Sequence, residues 1–391
     1  MNSGKYVFAQ IVEFLPARVF DRCVANYNGN FRVRHFTCWN QLLVMIFGHL
    51  STRDSLRDLL TTIGAHQSKF YHLGFGKGVS RSNLAAANES RDWRIFQDMA
   101  DEMMAYARRI IITDSSALPP AVIGNVYAFD ATTIDLCLNL FWWATFRKTK
   151  AGIKAHVLFD VRTAIPCWLL ITEASLHEVN TLDVLTYEVG GYYVVDRGYV
   201  DFGRLFRIHC CGAFFVTRAK SNTHFVRRYS ASVDKTNGIL SDQTVTLHSP
   251  VPKKAYPEAM RRITYYDAEL KKKLVFITNN FELDAIDIAN IYKHRWSIEL
   301  FFKWMKGHLY LKSFWGHSAN AVKIQIYTSV IAFTLIAIIR QQLKTRLSSY
   351  EMLQILSVSL FDKTHLNQLL QAAAYKNDDT ENDTTLQISL F

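Results

Sequence analysis

Pro119 and Pro120 separate two kinds of hydrophobic pattern in this sequence, and that separation limits the folds open to it. Proline removes a backbone donor and clashes with the preceding helical turn, so no helix runs through the pair. Before it, apolar residues recur at helical spacing over residues 39–50, 55–63 and 93–112. After it come short apolar or alternating runs at 126–138, 153–160, 168–172, 192–196 and 213–218, which read as strands. Helix-like pieces intervene near Leu182 and over 202–208. Several strands followed by a strand–helix–strand alternation predict an α/β fold, a mixed sheet with helices on its faces.

The chain continues with a polar, basic stretch. Residues 218–273 hold 12 Lys and Arg against 5 acids, with β-prone pieces at 243–247 and 263–266, and read as an insertion. A strand at 273–278 leads back to the core. Asp284 then stands where a cap belongs, ahead of one helix running to about residue 311. Two further helices, about 321–344 and 350–374, precede a polar, acidic end. The parts are therefore a helical segment 1–112, a core in two pieces at 120–218 and 273–345, the insertion 219–272, a helical region 346–376 and a tail 377–391 expected to be disordered.

With 391 residues, 49% of them hydrophobic, the chain can bury a substantial core. Its net charge of +11 attracts polyanions and makes nucleic acid the first partner to consider. The N-terminal segment carries about ten Lys and Arg against five acids up to Glu89, and residues 80–88 suit a helix-turn-helix-like reader of DNA or a plain helical bundle equally. Cys23, Cys38, Cys137, Cys167, Cys210 and Cys211 lack paired spacing and read as reduced, in a cytoplasmic protein. The apolar stretch 324–339 holds Gln325, Thr328, Ser329 and Thr334 and is shorter than the ~20 residues a span needs, so a buried helix and no membrane partner are expected.

Three carboxylates stand out. Asp130 interrupts an apolar strand, where an unpaired charge is costly, so it needs a cation, either a metal or a basic side chain. Asp135, five residues on, points to the opposite face. Asp196 ends an apolar strand, the place where ligand sites of open α/β sheets gather and also where helix caps occur. The third, Glu299, belongs to a helical pattern over 291–306. At about 100° per residue, Tyr292, Arg295, Glu299 and Lys306 share an arc of about 60° beside the apolar stripe of Ile291, Ile298, Phe301 and Met305. That placement fits a Glu holding metal with cations holding phosphates, or an Arg295–Glu299 pair at spacing four. Asp160, Asp183 and Asp201 are rival acids. His156 and His177 read as hydrogen-bonded strand or loop histidines, and Trp142 and Trp143 as packing residues.

In these residues the chain resembles the bacterial insertion-sequence transposases of the insertion-sequence-four type. Their Tyr-x2-Arg-x3-Glu-x6-Lys signature is matched at every spacing by Tyr292, Arg295, Glu299 and Lys306, after aspartates 66 residues apart and a gap of 103. The resemblance covers roughly residues 120–345. It implies an RNase H-like core interrupted by a β-rich insertion, a DNA-end-binding segment at 1–112, and Asp130, Asp196 and Glu299 as the catalytic, metal-binding triad. It implies two Mg²⁺ ions, replaceable by Mn²⁺, with Tyr292, Arg295 and Lys306 on backbone phosphates. The implied partners are double-stranded DNA, both inverted-repeat ends and target, and a second copy in a homodimer on DNA, in the bacterial nucleoid. A base flipped onto an aromatic residue of the insertion would find Phe225, Tyr229, Tyr256, Tyr265 or Tyr266. An RNase H-like nuclease that cuts without joining, and a DNA-binding protein that kept the fold without catalysis, remain as alternative readings.

Overall fold

A computed structural model describes residues 4–76, 78–111, 118–147, 150–308 and 313–378. The expected linker at 113–117 and most of the acidic tail lie outside the described residues. The chain divides into two units, one of residues 1–112, 134–152 and 301–391, the other of 113–133 and 153–300.

In the first unit, the expected helices form at Cys38–Leu50, Leu56–Gly64 and Arg94–Ile110. Their starts are set by side chains that accept from free N–H groups: Thr37 in a capping box with Asn40, Ser55 from Asp58, and Ser80 from Asn83 at the head of Arg81–Ser90. The apolar stretch near 324–339 becomes the helix Ala319–Leu343, long and apolar enough to cross a membrane but buried almost throughout. It packs on the helices Arg94–Ile110 and Cys38–Leu50. Its polar residues are satisfied locally, Thr334 donating to the Val330 carbonyl and Thr328 meeting His49 Nε2 at 3.1 Å. Of the two tryptophans expected to pack, Trp142 is 78% exposed, whereas Trp143 donates to the His317 carbonyl. One helix was expected over 350–374; there are two, Ser349–Ser359 and Leu366–Asp378.

Ten strands make one mixed sheet: β1 Val126–Leu136, β2 Thr145–Arg147, β3 Lys150–Asp160, β4 Ile165–Glu173, β5 Tyr192–Val195, β6 Phe214–Arg218, β7 Phe225–Ala231, β8 Ile239–Leu247, β9 Met260–Asp267 and β10 Lys272–Thr278. Their order is β2-β3-β1-β5-β6-β10-β9-β8-β7, with β4 beside β3. β1, β5 and β6 are parallel, and the helix Phe202–Cys210 crosses between the last two. Apolar runs buried on both faces suit these central strands, as Tyr192–Val195 shows. From β6 onward the pairing is antiparallel, so the stretch read as an insertion supplies β7, β8 and β9 and continues the sheet to its edge. At that edge the register shifts between Arg227 and Tyr229, and Arg227, Arg228 and Tyr229 are exposed.

Two polar devices fix this extension. Asn279 accepts from the Phe215 N–H and donates to the Ala213 carbonyl, tying the end of β10 to β6. Arg261 is 8% exposed and grips Asp242 with two nitrogens, at 2.9 and 2.7 Å, and the Leu283 carbonyl at 2.5 Å. A buried pair of this kind is costly to break from one side, because the partner keeps its charge without its counterion. Asp242→Ala is expected to lower stability by about 3–5 kcal/mol in urea unfolding, and Asp242→Leu with Arg261→Met to recover a large part of it. Equal stability of Asp242→Ala and the parent would contradict this.

His156 of β3 is fully buried, with Nε2 at 2.9 Å from Thr172 Oγ1. Burial lowers its pKa from 6.5 to about 4. A depressed imidazole is neutral in the folded chain and protonates first in the unfolded one. Its contribution to stability is thus complete above 6.5 and is lost as the pH falls toward 4. His156→Gln is expected to flatten the decline of the unfolding midpoint between those values, measured at matched ionic strength.

Candidate active site

Parallel pairing of β1 with β5 sets Phe129 against Val195, so Asp130, within β1, and Asp196, directly after β5, stand level just past the last paired residues. Paired residues of a ladder project to the same face, which puts both carboxylates on one side of the sheet. β1 is fully buried from Val126 to Phe129 and half-buried from Asp130 to Thr133. The strand therefore delivers Asp130 where the core gives way to solvent.

The segment expected as one helix from Asp284 to about residue 311 is instead two helices, Ala285–Lys293 and Trp296–His308. Residues 309–312 lie outside the described residues. Asp284 holds the cap position, but its side chain accepts no capping bond. The break falls at His294 and Arg295, where N–H groups bond three residues back: Arg295 to Tyr292 at 3.1 Å, Ser297 to His294 at 3.0 Å and Ile298 to Arg295 at 3.3 Å. Bonding of this type winds the chain more tightly than an α-helix, so 100° per residue does not carry through the joint.

The joint nevertheless brings the expected side chains to the aspartates. Tyr292 donates its hydroxyl to Asp196 Oδ1 at 3.4 Å. Arg295 reaches Asp130 Oδ2 with Nη1 at 3.5 Å and Glu299 Oε1 with Nη2 at 2.5 Å. Of the two readings of Arg295 and Glu299, the ion pair at spacing four is present, and its cation also faces a strand aspartate. Lys306, seven residues beyond Glu299 in the same helix, belongs to the helical unit and is half-buried.

The electrostatics follow from burial and from crowding of like charge. Burial raises the Asp130 pKa to about 6, helped by Glu178 and Glu299 and opposed by the Ala131 N–H and Arg295. Burial likewise pushes Tyr292 up to about 12, so its hydroxyl keeps its proton and remains a donor. Sequence reasoning missed two participants, Tyr199 and Glu178. Tyr199, 2% exposed, sets its hydroxyl 3.4 Å from both Asp130 Oδ1 and Glu178 Oε2. Its only signal was a tyrosine three residues past Asp196.

The rival acids have structural partners. Asp160 closes the turn after β3 by accepting from Arg162 and Thr163, Asp183 pairs with Arg204, and Asp201 caps the helix Phe202–Cys210. His177 is exposed at the head of a 3₁₀ turn. Among the aromatic residues of the insertion, Tyr256 and Tyr265 are buried, whereas Tyr229 is 65% and Tyr266 44% exposed.

Among the described residues no three His, Cys, Asp or Glu side chains gather closely enough to form a metal cluster; the guanidinium of Arg295 is the cation that Asp130 and Glu299 share. Asp130 in β1, Asp196 after β5 and Glu299 on a neighbouring helix offer carboxylate oxygens, the hard donors that Mg²⁺ and Mn²⁺ take. The residues fit such ions.

The sequence is similar to known proteins. The family model described as Transposase DDE domain matches residues 123–335, and that described as Domain of unknown function (DUF4372) matches residues 3–76. A protein of Sinorhizobium fredii named as a transposase, y4zB, is 36% identical over 213 residues, which are 54% of this chain and 59% of that protein. A protein of Geobacillus stearothermophilus, named as the transposase of insertion sequence element IS5377, is 27% identical over 55% of this chain and 56% of its own length. Another of Synechocystis, named for the element IS4SA, is 25% identical over 68% of this chain and 73% of its own. The chain thus spans between 56% and 59% of the first two relatives. A solved piggyBac transposase synaptic complex with hairpin DNA aligns with 98% of this chain and 87% of that one, at a TM-score of 0.46 and 8% identity. With the family model matching more than half of the chain, which carries a helix-flanked mixed sheet of RNase H-like form, the chain belongs to the transposase DDE domain family.

Proposed function

We propose that this chain is a cut-and-paste transposase of the insertion-sequence-four type, which binds the inverted-repeat ends of its element, cleaves them and joins the 3′ ends to target DNA. The observation that carries this reading is the convergence of Asp130, Asp196, Tyr292, Arg295 and Glu299 where the parallel pairing of β1 with β5 stops. Asp130, Asp196 and Glu299 would hold two Mg²⁺ ions. When bound, such a pair activates the attacking oxygen and stabilises the leaving one.

The chain's own groups have separate tasks. Arg295 presents a guanidinium whose fork matches two phosphate oxygens, so a scissile phosphate can take it over from the carboxylates. Tyr292 offers a hydroxyl hydrogen at the same face, and Lys306 extends the signature along the helix. The basic surface supplies the sequence-independent part of DNA binding, which weakens as salt rises. Residues 1–112 are assigned to end recognition, 120–218 and 273–345 to the core and 219–272 to the insertion between them. Paired ends call for a homodimer assembled on DNA.

Asp130→Ala, Asp196→Ala and Glu299→Ala are each expected to abolish cleavage of a fragment bearing the element's ends while end binding in a mobility-shift assay persists. Full cleavage by any one of them would remove that residue from the triad. Chelation of divalent ions is expected to stop cleavage, and Mn²⁺ to restore it. Strand-transfer products on a target plasmid separate a transposase from a nuclease that only cuts. For Arg295→Ala, a loss of about 10²-fold or more in cleavage rate is expected, as for other groups that stabilise transition-state charge. An unchanged rate would exclude a phosphate role.

A further inference from the structure

Asp130 has two carboxylate oxygens, and their surroundings differ. Oδ1 accepts from the Ala131 N–H at 2.8 Å and faces the Tyr199 hydroxyl at 3.4 Å. Oδ2 faces only Arg295 among the described hydrogen bonds, at 3.5 Å. One oxygen is thus occupied by donors of the sheet unit, and the other is turned toward a cation.

Tyr199 owes its place to the turn that follows β5. Its N–H bonds to the Asp196 carbonyl at 2.9 Å, closing the 3₁₀ turn Arg197–Tyr199 directly behind Asp196. Its ring is buried edge-on against Phe129, the residue before Asp130, with centroids 5.2 Å apart. The same turn therefore carries one strand-end aspartate and reaches across to the other. A hydroxyl has a single hydrogen, and both Asp130 and Glu178 lie within its reach. Glu178 has a second partner in Lys154, whose Nζ stands 3.2 Å from Oε1 and is itself anchored on the Leu176 carbonyl at 2.9 Å. Lys154 thus offsets the charge of Glu178 at its other oxygen, while the hydroxyl stands between Glu178 Oε2 and Asp130 Oδ1.

We propose that Tyr199 is a positioning residue: by donating to Asp130 Oδ1 it fixes the rotation of that carboxylate and leaves Oδ2 as the oxygen available to a divalent cation. This rests on the reading of Asp130 as a metal ligand. Groups that orient a metal ligand from behind typically change affinity or activity by about 10–100-fold when removed. Tyr199→Phe deletes the hydroxyl and keeps the ring on Phe129.

The test is Mn²⁺ binding to the full chain, followed by electron paramagnetic resonance without DNA, together with cleavage kinetics on end-bearing DNA. Tyr199→Phe is expected to weaken Mn²⁺ about tenfold and to lower kcat by a similar factor, with KM for DNA and the thermal midpoint little changed. Lys154→Met, which leaves Tyr199 in place but frees Glu178 to compete for the hydroxyl, is expected to weaken Mn²⁺ in the same direction. Unchanged Mn²⁺ affinity in Tyr199→Phe, in a series where Asp130→Ala has lost it, overturns the positioning role and leaves the metal reading standing. Mn²⁺ binding that survives Asp130→Ala removes the metal reading, and the positioning role with it.

Discussion

The register between β1 and β5 is the constraint on which the site depends. Parallel strands need a crossover and are covered on both faces, and a hairpin and a 3₁₀ segment intervene between these two. Their pairing makes neighbours of two aspartates that are far apart in the sequence. A slip of one residue would turn one of the two carboxylates to the opposite face. Tyr127, Phe129, Tyr193 and Val195 of these strands are all buried in the main core of the sheet unit, so apolar packing enforces the register that the charged ends require.

Asp130 illustrates what that enforcement costs. A half-buried acid with two other carboxylates nearby is unfavourable as an anion, and three groups offset this: the Ala131 N–H, the Tyr199 hydroxyl and the Arg295 guanidinium. They belong to β1 itself, to the turn after β5 and to the joint between two helices. Each arrives by a different part of the sheet unit.

Much of this was legible in the sequence. The periodicity of Arg94–Ile110 and the apolar runs of β1, β3, β5 and β6 gave the element types, because side chains buried on one or both faces leave a periodic trace. Asp130, Asp196 and Glu299 stood out because charge in apolar surroundings is conspicuous. The break at His294 and Arg295 was not legible: no proline or glycine marks it, and a short run of bonds three residues back leaves no pattern in side-chain type. Tyr199 escaped for a related reason. A buried tyrosine looks like any core aromatic until its hydroxyl has a neighbour, and that neighbour is supplied by strand pairing. The extent of the sheet beyond β10 was also hidden, since antiparallel partners are chosen by tertiary packing and short β-prone pieces do not name them.

The outer strand of that extension has a consequence for how the chain behaves in quantity. β7 ends the sheet, and the last strand of any sheet carries unsatisfied backbone groups on which another chain's strand can template itself. Here the register break at Arg227 and Tyr229 twists the row, and two exposed arginines meet any identical strand with like charge. A sheet with a flat, apolar margin would be a nucleus for fibrous aggregation; this margin opposes such pairing with its own charge.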